Sequence, residues 1–402
     1  MNKNNTLLIG PYPPPFGGVS SHLYELNNSF KNTEYNFSIL QFDSCTEDNI
    51  DGNLKIYKRA TVFRLNFFLI LASRVDRSTL ALTLLFINFI KSPRLYISSF
   101  IRALHVIELM DKNKISRAVV YTTQIGALIP FVKIFRPKYE VFYCIYADPY
   151  KNPDFYKKHH YWYKKAIEQS KKVFSSSCYC ADAYGNFTKN ADPEVIYVGV
   201  DLDRFHEMDP VCARVRLTIP ERPTVLFLGR MEPEMGADNA LEIAKIILSK
   251  DININFIIAG AKGSLTDSIS KSASAFEGRL IVKSNLSQEE IPYYYGASTI
   301  SIAPTLGLHA CMGVSIKEAM ASGRPTIATD SGGIPEAIRN NIDGYVVPLK
   351  EGKIDNEYFS KKILEFLKDE EKIELFGKNS RKRCEDIFSV NATAEKYLKL
   401  FE

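Results

Sequence analysis

Residues Ser301–Pro348 read SIAPTLGLHACMGVSIKEAMASGRPTIATDSGGIPEAIRNNIDGYVVP. An apolar run, Thr299–Ala303, is short enough for a buried strand. A loop with Gly307 and Gly313 follows, and helical spacing predicts a helix from Val314 to Ser322. A second strand is expected at Pro325–Ala328, and Gly332-Gly333 opens another helix at Pro335-Glu336. A strand, a glycine loop and a helix start together make an anion site, because the first-turn N–H groups have no intrahelical partner. Glu318 lies one turn into that helix, where its carboxylate can reach a ligand over the loop. A carboxylate there also complements the helix dipole with no ligand present. On these residues alone the two readings stand even.

Outward from this stretch the same unit recurs. Thr224–Leu228 is an apolar strand that runs into Gly229-Arg230-Met231-Glu232-Pro233-Glu234-Met235-Gly236. Strand Asn255–Gly260 runs into a loop with Lys262, and Ile281–Lys283 into Ser284-Asn285-Leu286, with Ser287 set to cap a helix. In the first half, Thr6–Gly10 leads through Pro11–Phe16 to Gly17-Gly18, then to a helix carrying Val19, Leu23 and Leu26. The two glycines let a backbone approach a ligand, and equally make a tight turn before a helix. Further strands are predicted at Tyr35–Phe42, Leu54–Tyr57, Arg117–Tyr121, Val141–Ile145 and Lys172–Phe174. Strands alternating with helices define an α/β chain built on parallel sheets.

A chain of 402 residues is too long for one ordinary core and suits two domains. The 46% hydrophobic and 24% charged content is that of a globular protein. A net charge of +5 gives no ground for expecting a nucleic-acid partner. Seven cysteines at irregular spacing make no disulfide framework, and Cys178-x-Cys180 lacks the second pair of a zinc site, so no metal is expected. The opening MNKNNTLLIGPYPPP turns before a signal-peptide core can form, and the expected compartment is the cytoplasm. Residues 61–110 mix Phe, Leu and Ile with Arg64, Arg74, Arg77, Lys91, Arg94 and Arg102. Their apolar runs are too short to span a bilayer. They fit helices in a membrane interface, on the inner face of the cytoplasmic membrane, and equally helices that cover a sheet.

The motif around Glu318 resembles the nucleotide-sugar signature of the retaining glycosyltransferases of family 4. That signature has two glutamates eight positions apart around a Gly, then Glu-Ala-Met-Ala-x-Gly-x-Pro and Gly-Gly-x-x-Glu. Glu318–Pro325 and Gly332–Glu336 match it, whereas the first glutamate is replaced by Ala310. Val195–Phe205, with Gly199-Val200-Asp201 and Phe205, resembles the family's interdomain segment. The resemblance implies the GT-B fold, with two Rossmann-like domains facing across a cleft and a C-terminal helix crossing back to the first. The expected boundaries are 1–205 for the acceptor domain, 206–388 for the donor domain and 389–402 for the returning helix.

It also implies a nucleotide diphosphate sugar as co-substrate, a glycan or lipid-linked acceptor, and no cofactor. The donor would be held by Gly17, Gly18, Gly229, Arg230, Asn285, Leu286, the backbone of Ala310, Cys311, Met312, Gly313, Val314 and Ser315, and Glu318 at the ribose. The family's lysine in the Arg230 loop is here Met235, and Lys262 is the candidate replacement cation. The family's histidine near the reacting sugar is here Tyr146. Catalytic candidates are therefore Arg230, Glu318, Tyr146 and Asp148. His159 and His160, beside four lysines, are expected on a surface helix. The expected activity is transfer of a sugar with retention, in surface polysaccharide synthesis. The changes at Tyr146, Met235 and Ala310 keep a second reading open, a catalytically degenerate member that binds or scaffolds another transferase.

Overall fold

The computed structural model describes residues 2–11, 18–30, 35–42, 49–51, 54–58, 93–121, 123–185, 192–251, 253–307 and 310–402. The chain divides into two compact units, Met1–Ile196 with Ala394–Glu402, and Tyr197–Thr393.

The first unit is built on β1 (Asn2–Ile9), β2 (Asn36–Gln41), β3 (Asn49–Asp51), β4 (Leu54–Lys58), β5 (Ile115–Val120), β6 (Glu140–Ile145), β7 (Lys172–Ser175) and β8 (Glu194–Val195). Their order in the sheet is β3-β4-β2-β1-β5-β6-β7-β8. Only the β3–β4 pair is antiparallel among the described strands. Successive side chains of β1 enter different cores, Leu7 and Ile9 on one face and Leu8 on the other. That is the period-2 consequence of a sheet buried on both sides, and it explains why its strands read as continuous apolar runs.

The second unit holds β9 (Thr224–Leu228), β10 (Asn255–Gly260), β11 (Leu280–Ser284), β12 (Ile300–Ala303), β13 (Thr326–Thr329) and β14 (Gly344–Val347). All pairs are parallel, in the order β11-β10-β9-β12-β13-β14. Counted from β9, this is the 3-2-1-4-5-6 order of the Rossmann fold. Val225 and Phe227 enter one core, Leu226 the other. Strands β9 and β10 fall where the sequence places them.

The divisions between the units fall after Ile196 and after Thr393, the first before the boundary expected at 205 and the second after that expected at 388. Val200 and Phe205 are buried in the second unit's core with Tyr295 and Phe388, and Val200 pairs with Ser389. Apolar anchoring therefore assigns Tyr197–Phe205, and the chain up to Thr393, to the second unit. The last helix runs Val390–Phe401, and its end returns to the first unit. Tyr397, Leu400 and Phe401 are buried there, and Arg117 donates to the Phe401 carbonyl at 2.7 Å while pairing with Glu140.

Of the apolar-basic stretch 61–110, residues 61–92 lie outside the described residues. From Pro93 a helix runs to Lys112 and buries Ala103, Leu104, Val106, Ile107 and Met110 against the first sheet. This part does what a sheet-covering helix does. His159 departs from its expected surface position: it is buried and packs edge-on against Phe155, with ring centroids 4.5 Å apart.

Candidate functional site

In a doubly wound sheet the strand order reverses at one point, and the loops leaving the carboxyl ends there diverge to open a crevice. In the second unit that point lies where β9 and β12 are neighbours. The loop after β9 begins Gly229-Arg230, and the loop after β12 leads to the helix Val314–Ala321. Three loops are zipped together on this edge. Gly229 N–H donates to the Ala259 carbonyl, Met231 N–H to Ala261, and Leu265 N–H back to Met231. Gly236, at φ +82°, lies so close to the Pro304 carbonyl that a Cβ has no room, which ties the β9 and β12 loops across the switch point. Gly332, at φ +57°, does the same against the Ala310 carbonyl, while Gly333 N–H donates to that oxygen at 2.8 Å.

Arg230 is exposed beyond the end of β9. The Glu232 carboxyl is held below its ordinary range by the Ser264 hydroxyl and amide, with Arg230 adding its field. Lys262 is exposed on the neighbouring loop, where its N–H donates to Asn285 Oδ1 at 3.2 Å. Asn285 adopts a left-handed φ of 57°, and its N–H donates to the Gly260 carbonyl. Its side chain is thus engaged in joining two loops. Leu286 packs on the core below. Ser287 and Glu290 form a reciprocal capping box ahead of the helix Ile291–Ala297.

The helix Val314–Ala321 starts at Gly313 with no side-chain cap, leaving its first-turn amides unclaimed by a capping side chain. Ala310 and Cys311 are half-buried, and Met312 is buried in the core, so its side chain faces away from any ligand over the loop. Glu318 is half-buried, and its Oε2 accepts from the Tyr295 hydroxyl at 2.9 Å; the same hydroxyl approaches the Ser315 carbonyl at 3.0 Å. Burial pushes the Glu318 carboxyl upward, and Tyr295, Arg204 and Lys317 in turn restrain that rise. Tyr295 and Arg204 escaped the sequence reading. No local pattern says that a tyrosine in a Tyr-Tyr-Tyr run will reach a carboxylate on another helix.

Met235, at the position where a cation was sought, packs half-buried against the core. Tyr146 and Asp148 belong to the first unit. Tyr146 packs against the cluster of Leu23, Tyr121 and Tyr397. Asp148 opens the short helix Asp148–Lys151, and its charge adds to burial in raising the Tyr156 and Tyr163 hydroxyls. Gly18 opens the helix Gly18–Ser29, and Gly17 lies outside the described residues. The structure thus gathers Gly229, Arg230, Lys262, Asn285 and the 310–318 segment on one sheet edge.

Residues 213–383 match the family model described as Glycosyl transferases group 1. The D-inositol 3-phosphate glycosyltransferase of Streptomyces bingchenggensis strain BCW-1 is 30% identical over 173 residues, 39% of this chain and 38% of that protein. The match therefore spans well under half the length of that relative. In structure, the chain resembles sucrose-phosphate synthase from Thermosynechococcus elongatus, with a TM-score of 0.74 and 17% identity over 99% of this chain and 98% of that one. It also resembles HepE of Anabaena, solved with UDP, at a TM-score of 0.71 and 14% identity over 98% of each chain. At these identities the likeness is one of fold.

Proposed function

We propose, from the match of residues 213–383 to the glycosyl transferases group 1 model, that the chain moves a sugar from a nucleotide diphosphate sugar to a hydroxyl of a glycan or lipid-linked acceptor, with retention. The observation that carries this reading is the placement of Arg230, the uncapped helix start after Gly313, and Glu318 on the carboxyl edge at the second sheet's switch point. A diphosphate over Gly229–Arg230 meets a planar guanidinium and first-turn amides, the groups that stabilise a leaving phosphate without a metal ion. Lys262 supplies a second positive charge from the adjoining loop. Glu318, ionised, accepts hydrogen bonds from the ribose hydroxyls. The acceptor falls to the first unit, and the leaving phosphate takes its proton on the same face, so no side-chain base is required of Tyr146 or Asp148. The apolar-basic sequence of residues 61–92 supports a contact with the inner membrane surface, where a lipid-linked acceptor of surface polysaccharide synthesis would lie.

A second reading rests on Met235 and Ala310. An apolar side chain packed on the core and a missing carboxylate are also what a non-catalytic partner of another transferase would carry. One panel separates the two. Calorimetry with UDP, GDP, ADP, CMP and their sugar conjugates should show one nucleotide family binding the wild type. Arg230→Ala and Glu318→Ala should each weaken it about 10- to 100-fold, as for hydrogen bonds to charged groups. No binding anywhere in the panel would sink the transferase reading in favour of the partner.

A further inference from the structure

We propose that Arg204 is a positioning residue of the donor site, holding the loop after β11 to the turn Asp201–Phe205 beside the helix that carries Glu318. This rests on the donor site assigned above and names what keeps its two halves in register. The turn is fixed from within. Asp201 Oδ1 accepts the N–H groups of Asp203 and Arg204 at 2.9 and 3.1 Å, and Phe205 N–H donates to the Asp201 carbonyl. Phe205 is buried edge-on to Tyr295, with centroids 6.0 Å apart, and the Tyr295 hydroxyl reaches Glu318. Arg204 then lies over the Phe205 ring at 4.8 Å.

From that platform Arg204 Nη2 donates to both the backbone carbonyl and Oε1 of Gln288, each at 2.6 Å. Gln288 sits inside the Ser287–Glu290 capping box, next to the donor-holding candidates Asn285 and Leu286. One guanidinium thereby joins the loop after β11, the anchored turn and the electrostatic surroundings of Glu318. A lysine could keep the charge but not the planar stack together with the paired bonds. The charged and titratable groups that bear on Glu318 come from three elements: Tyr295 on the helix Ile291–Ala297, Arg204 on the turn, and Lys317 on its own helix. Arg204 and Lys317 favour the carboxylate by their charge and Tyr295 by its hydrogen bond, against burial.

Two readouts on the full-length chain test this. Hydrogen exchange of the ligand-free protein should show segment 284–290 exchanging roughly tenfold faster in Arg204→Gln, while strand β10 keeps its protection, the size expected for losing hydrogen bonds from a charged donor. Unchanged exchange in that segment overturns the proposal whether or not any donor binds. UDP and GDP titrations between pH 5 and 8 give the second. Once corrected for protonation of the nucleotide's terminal phosphate, affinity should fall on the acid side as Glu318 protonates. That corrected fall should move to higher pH in Arg204→Gln, return toward wild type in Arg204→Lys, and vanish in Glu318→Gln. An unmoved profile in Arg204→Gln counts against the proposal. Faster loop exchange with no nucleotide or sugar conjugate of the panel bound by the wild type would uphold Arg204's link and remove the transferase reading instead.

Discussion

The two units reverse their strand order in the same way, β1 beside β5 in the first and β9 beside β12 in the second, yet their carboxyl edges are finished differently. In the first, Tyr121 follows β5 and is fully buried. It packs edge-on to Phe174 and His22 and beside Tyr397, while His22 shares a 3.0 Å hydrogen bond with the Tyr397 hydroxyl. Gly10, after β1, is pressed against Tyr121 and Leu23. In the second, the corresponding places carry Gly229-Arg230 and a glycine loop that leads to a polar helix start. The same strand reversal stands at both points, and the side chains that follow it differ. Aromatic rings fill the first because they bury large apolar area per residue. In the second, Arg230 stays exposed beyond the end of β9.

This contrast can be broken by experiment. The largest effect belongs to the filled edge. Tyr121→Ala should lower stability by about 3–5 kcal/mol in urea unfolding, as for other buried aromatic truncations, with nucleotide affinity unchanged below the transition. A loss of nucleotide binding in the still-folded variant would mean that this edge is more than core.

The next effect sits under the open edge. Lys317 is buried, donates to the Val198 carbonyl at 2.6 Å, and burial brings its pKa down to about 8 from 10.5. The folded value lies below the unfolded one. Below about pH 8 both states hold the proton and the buried ammonium destabilises in full. Between about 8 and 10.5 only the unfolded chain keeps it, so stability rises with pH by about 3 kcal/mol. Lys317→Met should flatten that rise, and an equal slope in both proteins would show that the lysine is not the cause. The smallest effect sharpens the account of the open edge. Lys262→Ala should weaken nucleotide diphosphate binding only by about 0.5–1 kcal/mol, because an exposed cation acts through solvent. Affinity left unchanged would remove Lys262 from the site.

What the sequence determined by itself was everything that depends on local spacing. Continuous apolar runs gave buried strands, because a sheet covered on both faces needs no polar alternation. The glycines at 229, 313 and 332 marked the loops, and Glu318–Pro325 marked the candidate edge. Ser287 was legible as a cap, although the helix itself begins at Ile291 and Glu290 completes the cap. Contacts between residues far apart in the chain were decided only by the tertiary structure. The boundary moved to Ile196 because Val200 and Phe205 found their apolar partners in the second core. His159 went inside because it stands at the turn between helices Pro153–Lys158 and His160–Gln169, where its ring meets Phe155. Tyr295 and Arg204 joined Glu318 across sequence separations that no periodicity encodes. Local pattern fixes which elements form, since it sets which face each must bury; the ionisation and reach of a buried carboxylate depend on what folding places beside it.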